Sequence, residues 1–402
     1  MSVPLSKDST ILIIGAGTWG ISTALHLKRR GYKHVTLLDP YPVPSPISAG
    51  NDVNKILELG TFAAGADADE RFVANKLVSE ATKGWLEDPV FKPYFHETGC
   101  IIAATSKDGL AHMNSASGPS ESAGWLPLKT KEDFQATMPK GVLTGDFPGW
   151  EGWWMKKGSG WIHARKSMES AAREAERLGA VFITGEEKGK VESLVIEDGD
   201  IKGAKTLNGF EHRADRTILC AGANAGIIFE MKDQLRPTAW TLAHIKMTKE
   251  ELQLFKNLPV LFNIERGFFM EPDEEKGELK LCDEHPGYCN WTVDPQNLVL
   301  GCGASGHGFC HIPVIGGIVS TPYYFVVVIH VADRVHSITD AMEDKLDPRM
   351  EHSFRWRPET AVNREWEDLQ DRHGPEGSNR MMNFGDIVEW TNIQPEIAEA
   401  KL

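Results

Sequence analysis

Gly15-Ala16-Gly17-Thr18-Trp19-Gly20 carries the G-x-G-x-x-G spacing, and Asp39 follows about 20 residues further on. Each part of that pattern has a chemical reason. The first glycine permits a tight turn, the second lets backbone approach a pyrophosphate, and the third lets helix pack on strand. The acid accepts from a ribose hydroxyl. The ligand is therefore a dinucleotide, and the motif alone does not choose between FAD and NAD. Close behind it, Ser48-Ala49-Gly50-Asn51-Asp52-Val53-Asn54-Lys55 is polar and glycine-bearing. Taken by itself, Lys55 there reads as an exposed loop charge.

The elements around the fingerprint are those that would position it. Ile11 to Ile14 is a continuous apolar run, as expected of a buried parallel strand. A helix is expected from about Ile21 to Arg30, stopped by Gly31, with a second strand from His34 to Asp39. That is a βαβ unit. A helical stretch from His163 to Leu178 leads to a strand at Val181 to Thr184. Asp198-Gly199 marks a hairpin between Val191–Ile196 and Ile201–Ala204. Two further strands run into glycine turns: Thr217–Cys220 into the turn bearing Gly222, and Leu298–Leu300 into the turn bearing Gly303, Ser305, Gly306 and Gly308. Spread along the whole chain, such units predict an α/β fold with one Rossmann-type domain built from discontinuous segments: 1–85, 150–235 and 298–402. The stretches 86–149 and 236–297 would form a smaller substrate domain with a mostly antiparallel sheet. Val260–Phe262 and Leu279–Leu281 read as two of its strands, with Glu271 to Glu274 as the turn between them.

Composition narrows the ligand. The 402 residues include 43 Lys plus Arg against 57 Asp plus Glu, a net charge of −14. Such a chain repels phosphate backbones and anionic lipid, so no nucleic-acid or membrane partner is expected and small molecules fit best. The polar start, Met1 to Thr10, does not read as a signal peptide, and the longest apolar run, Tyr323 to Ile329, is far too short to span a membrane. Six cysteines show no C-x-x-C pair and read as reduced thiols, and no metal site is expected. Ala400-Lys401-Leu402 is a close variant of the Ser-Lys-Leu peroxisomal address, which makes the peroxisomal import receptor an expected partner.

Beyond the fingerprint, Asp39 to Pro44, Ser48 to Lys55, Phe91 to Phe95, Gly158 to Trp161, Leu235 to Trp240, Phe268 to Glu274 and Cys282 to Gly287 resemble fungal fructosyl-amino-acid oxidases, the amadoriases of the sarcosine and D-amino-acid oxidase group. The similarity runs over most of the chain. It implies FAD as cofactor, a glycated amine and O2 as small-molecule substrates, and a monomer. Lys55 matches a lysine beside the flavin, where a cation favours electron transfer to oxygen. Glu284 matches a glutamate that contacts the sugar-amine part of the substrate, and Arg372 an arginine that faces it. The turn at Gly303 to Gly308 resembles the one beneath the flavin ring. The chemistry implied is hydride transfer from sugar C1 to flavin N5, hydrolysis of the imine to a deoxy-osone and a free amino acid, and reduction of O2 to hydrogen peroxide. A peroxide-forming enzyme suits a peroxisome.

The chain also departs from that family. The several dozen residues that relatives carry before Leu298 are missing, and with them a Cys-Trp-Cys segment that bonds FAD, so no covalent flavin link is expected. Ile318 to Ser337 interrupts a helix that relatives keep whole, and Cys310 stands where they place a lysine for the substrate carboxylate. A missing block and an extra block are what a misread exon and a retained intron would leave. The alternative to the oxidase is thus a non-catalytic or unstable product of such a gene. Lesser alternatives are another amine oxidase of the sarcosine oxidase type and an NAD-dependent dehydrogenase.

Overall fold

The computed structural model describes residues 5–58, 68–114, 118–229, 242–282, 288–289, 347–349 and 382–383. Strand β1 (Thr10–Ile14) leads through the fingerprint into helix α1 (Thr18–Arg29) and strand β2 (His34–Asp39). The helix starts three residues before the expected Ile21, because Gly17 already serves as its N-cap. Gly31 follows its end at φ +85°, a left-handed conformation that glycine adopts without strain.

Next come β3 (Lys55–Glu58), helix α2 (Ala68–Glu87), β4 (Phe95–His96), β5 (Cys100–Ala104), β6 (Leu126–Leu128), β7 (Glu151–Met155) and β8 (Ser159–Ile162). Helix α3 (Ala164–Arg177) is capped by His163 and Leu178 and precedes β9 (Val181–Thr184). Then follow β10 (Val191–Glu197), β11 (Asp200–Thr206), β12 (Glu211–Arg213) and β13 (Arg216–Leu219). The expected hairpin joins β10 to β11, with Asp198 and Gly199 both at positive φ (51° and 83°), the signature of a type I′ turn.

The parallel sheet has the order β13-β1-β2-β9. Its central strand is buried on both faces, which explains the unbroken apolar run. Ile11 and Ile13 pack towards Leu25 of α1 and Met168 and Ala171 of α3. Leu12 and Ile14 pack towards Ala204 and Leu194 of the antiparallel β10-β11-β12 layer.

The remaining strands are β14 (Leu242–Lys246), β15 (Val260–Asn263), β16 (Gly267–Phe269) and β17 (Glu278–Cys282). They join the central strands in a seven-stranded sheet of order β14-β17-β16-β15-β5-β7-β6, antiparallel except where β15 meets β5. Sequence reading expected a turn from β15 towards β17 and missed β16, a three-residue strand too short to show a period. Strand β7 begins just past residue 150 and joins this sheet. A third layer, β3-β8-β4, lies between the two large sheets: Leu57 and Ile162 enter the core around α1, whereas Trp161 enters the core around β5.

Candidate functional site

The fingerprint forms a cradle at the carboxyl end of β1. Gly15 has φ +101°, and a β-carbon there would lie 2.4 Å from the Cys220 carbonyl oxygen. A β-carbon on Gly20 would lie 1.9 Å from the Gly15 carbonyl oxygen, so these two glycines are required by close backbone packing. Gly17 differs, since a β-carbon there would meet only Ser48 Oγ, at 3.2 Å. Helix α1 has no side-chain cap and no acid in its first turn, which leaves its leading N–H groups and positive dipole end for an anionic ligand. Trp19 sits in that turn, and Thr18 beside it is buried, its hydroxyl 3.7 Å from Met168 Sδ.

Asp39 closes the cradle from the end of β2. It is 7% exposed and accepts from Ala16 N–H and Tyr41 N–H, each at 2.9 Å. Burial pushes its carboxyl up, and those two N–H groups work against the shift. With one bond to each oxygen, the carboxylate keeps lone pairs for ribose hydroxyls. Ser48 and Asn51 lie in the turn that faces Gly17, where Asn51 N–H donates to the Ser48 carbonyl at 2.9 Å. Gly222 begins a short helical turn just past β13, close to the Cys220 carbonyl that abuts Gly15.

Lys55 opens β3 and ion-pairs with Asp52. The same carboxylate oxygen, Asp52 Oδ2, also meets Lys280 Nζ of β17 at 2.5 Å, and Lys280 donates to the Asn54 carbonyl at 3.1 Å. All three are buried or nearly so, with side-chain exposures of 22% for Lys55, 9% for Asp52 and 3% for Lys280. Burial opposes ionisation of Asp52, but the two ammonium groups outweigh it and hold the carboxyl below its usual range. Burial and then the charge of Lys55 push Lys280 down, against the pull of Asp52. Two cations on one anion leave a net positive charge out of water, which favours negative charge developing beside it. Next to the pair, Asn54 is fully buried and neither end of its amide has a hydrogen-bond partner among the described residues.

The structure thus brings Gly15, Ala16, Gly17, Thr18, Trp19, Gly20, Asp39, Ser48, Asn51 and Gly222 around one edge of the parallel sheet, with Lys55 on the neighbouring layer. Glu284, Arg372, Gly303, Ser305, Gly306 and Gly308 lie outside the described residues, as do Cys310, Ile318 to Ser337 and Ala400 to Leu402. Lys280 was missed by sequence reading. The signal was present as a lysine flanked by Leu279 and Leu281 in a strand, but such alternation ordinarily places the charge towards solvent. No group of metal ligands occurs among the described residues, and no helix there is long and apolar enough to cross a membrane.

The glycine cradle, the uncapped helix start and the carboxylate at the end of β2 fit FAD: Gly15 and Gly20 let β1, β13 and the start of α1 pack backbone to backbone, and the leading N–H groups of α1 are left for a pyrophosphate. Together they define a dinucleotide-binding protein of the Rossmann type. The chain belongs to the family described as FAD dependent oxidoreductase, which it matches over residues 10–291, and its cofactor is FAD.

Solved structures similar to it include amadoriases. Amadoriase II, the deglycating fructosamine oxidase of Aspergillus fumigatus solved in complex with FSA, is 42% identical, covers 95% of this chain and 97% of its own, and superposes with a TM-score of 0.84. Amadoriase I of the same fungus, a fructosyl amine:oxygen oxidoreductase, is 44% identical with coverage of 96% and 97% and a TM-score of 0.84. L-saccharopine oxidase of Schizosaccharomyces pombe is 26% identical over 305 residues, which are 71% of this chain and 67% of that protein.

Proposed function

We propose that the chain is an oxidase of glycated amino acids: it oxidises the secondary amine of a fructosyl amino acid to an imine, which water splits into a deoxy-osone and the free amino acid, while O2 is reduced to hydrogen peroxide. The observation that carries this reading is the 42–44% identity to two fructosamine oxidases over nearly the whole chain. Bound FAD supplies the two-electron acceptor that the amine oxidation needs and passes the electrons to oxygen.

The chain's own residues bind and polarise. The turn at Gly15 and Gly17 and the first N–H groups of α1 hold the pyrophosphate, while Asp39 orients a ribose. Lys55 and Lys280 keep one uncompensated positive charge at a fixed place, so that negative charge formed during oxygen reduction is stabilised without reorganisation. Asp52 accepts from both ammonium groups through one oxygen and so fixes where they sit. Glu284 and Arg372 are the proposed contacts to the substrate itself, and a peroxisomal address in Ala400 to Leu402 would place the peroxide where it is consumed.

The test is a visible spectrum of the purified protein before and after acid precipitation, with peroxide release on fructosyl-glycine in the same sample. Flavin absorbance that leaves with the supernatant, together with peroxide, is the expected result. A colourless protein that releases no peroxide would mean that the chain is a non-catalytic product.

A further inference from the structure

Three polar pairs run in step between the β8–α3 junction and the turn that leads into β17. Trp161 Nε1 donates to Glu271 Oε2 at 2.9 Å, His163 Nε2 lies 3.2 Å from Asp273 Oδ2, and Lys166 ion-pairs with Glu275. The order is the same on both sides. Trp161, His163, Glu271 and Asp273 are all less than 9% exposed, which is rare for carboxylates unless they are fully partnered.

Each buried carboxylate uses one oxygen for its own turn and the other for the far side. Glu271 Oε1 accepts from Asn257 N–H at 2.7 Å, while Oε2 takes the indole. Asp273 Oδ1 accepts from Glu275 N–H at 2.7 Å and Lys276 N–H at 3.1 Å, while Oδ2 faces the imidazole. Burial alone would raise the Asp273 carboxyl, but His163 and these N–H groups bring it down to about 2. His163 Nδ1 in turn accepts from the Lys166 N–H at 3.5 Å as the cap of α3, and Nε2 stands 3.2 Å from Asp273 Oδ2.

This arrangement answers a question the strand ladders leave open. Pairing with β14 and β16 fixes β17 within its own sheet. It does not fix the spacing between that sheet and β3-β8-β4, across which Lys280 must reach Asp52. The turn that carries Glu271, Asp273 and Glu275 enters β17 at Glu278, two residues before Lys280.

We propose that the three pairs form a polar zipper that sets the distance between the two sheets and so seats Lys280 on the Lys55–Asp52 pair, with Asp273 as its central positioning residue. The zipper is a matter of geometry. Its bearing on oxygen reduction rests on the function proposed above.

The test uses the FAD-loaded protein and its Asp273→Asn, Asp273→Glu and Lys280→Met variants. Acetylation of lysines by an amine-reactive ester is followed by peptide mass mapping, and flavin reduction by fructosyl-glycine is timed separately from reoxidation by O2. In Asp273→Asn, Lys280 is expected to acetylate about tenfold faster than in the parent through easier local opening, while exposed Lys246 is unchanged. Reoxidation slows about tenfold, and reduction shifts by no more than about twofold. Asp273→Glu restores part of both effects.

Unchanged protection of Lys280 in Asp273→Asn would overturn the zipper. Where that variant does not fold, Glu275→Gln at the exposed end of the zipper is read by the same acetylation assay, and unchanged protection there overturns it equally. Faster acetylation in Asp273→Asn with reoxidation untouched in both Asp273→Asn and Lys280→Met would uphold the zipper and remove Lys280 from oxygen reduction.

Discussion

Asp52 and Lys280 meet at 2.5 Å although 228 residues separate them, and the carboxylate oxygen they share is also the one that binds Lys55. The cluster is asymmetric: it holds two cations and one anion, so its members are not equivalent. Asp52→Asn leaves two buried ammonium groups facing each other without compensation. Loss of one partner from a buried pair costs about 3–5 kcal/mol, and the same is expected here. Lys280→Met leaves a matched Lys55–Asp52 pair and is expected to change stability by less than about 1 kcal/mol. Urea unfolding midpoints at constant slope compare the two. Equal losses in both variants would mean that Lys55 alone does not satisfy Asp52.

The fingerprint glycines separate in the same way. Gly15→Ala sets a β-carbon 2.4 Å from the Cys220 carbonyl oxygen at φ +101°, and neither backbone segment can yield without moving β1 or β13. A loss of about 2–4 kcal/mol is expected, with FAD binding lost as well. Gly17→Ala meets only the Ser48 hydroxyl at 3.2 Å, so the fold is expected to survive. Its added methyl lies on the path of the pyrophosphate and is expected to weaken FAD at least about tenfold. Fluorescence titration of the apoprotein with FAD, next to thermal unfolding of the same samples, reads both quantities.

Much of this arrangement was written in local sequence. Ile11 to Ile14, the glycine spacing and Asp39 announced the parallel sheet and its ligand, because a strand buried on both faces leaves an unbroken apolar run. The hairpin at Asp198-Gly199 was equally plain, since few dipeptides accept two positive φ values. Lys280 was not legible, for the opposite reason. In β17 the lysine is the most buried residue while Leu279 and Leu281 are half-exposed, an inversion imposed by the β3-β8-β4 layer that covers that face. Strand β16 escaped because three residues give no period. The Trp161–Glu271 and His163–Asp273 contacts bridge 110 residues, and no local pattern announces a pair of that separation.

The histidine at the edge of that network gives a pH-dependent prediction. His96 stacks face to face on Trp161, with ring centroids 3.8 Å apart and planes 8° from parallel. Burial, and then the nearby charge of His163 and Lys166, bring its pKa down to about 4 from the ordinary 6.5, while Asp273 and Glu274 pull the other way. Between those two values the unfolded chain binds the proton and the folded chain does not. Folding stability attributable to His96 must then be lost as pH falls from about 6.5 towards about 4, and be fully present above that range. His96→Phe keeps an aromatic ring against Trp161 and removes the titration. Its urea unfolding free energy is expected to fall less steeply than that of the parent over this window and to run parallel to it above about pH 7. Parallel curves across the whole range would show that the imidazole carries its proton in the fold, and that the stack on Trp161 tolerates a cation.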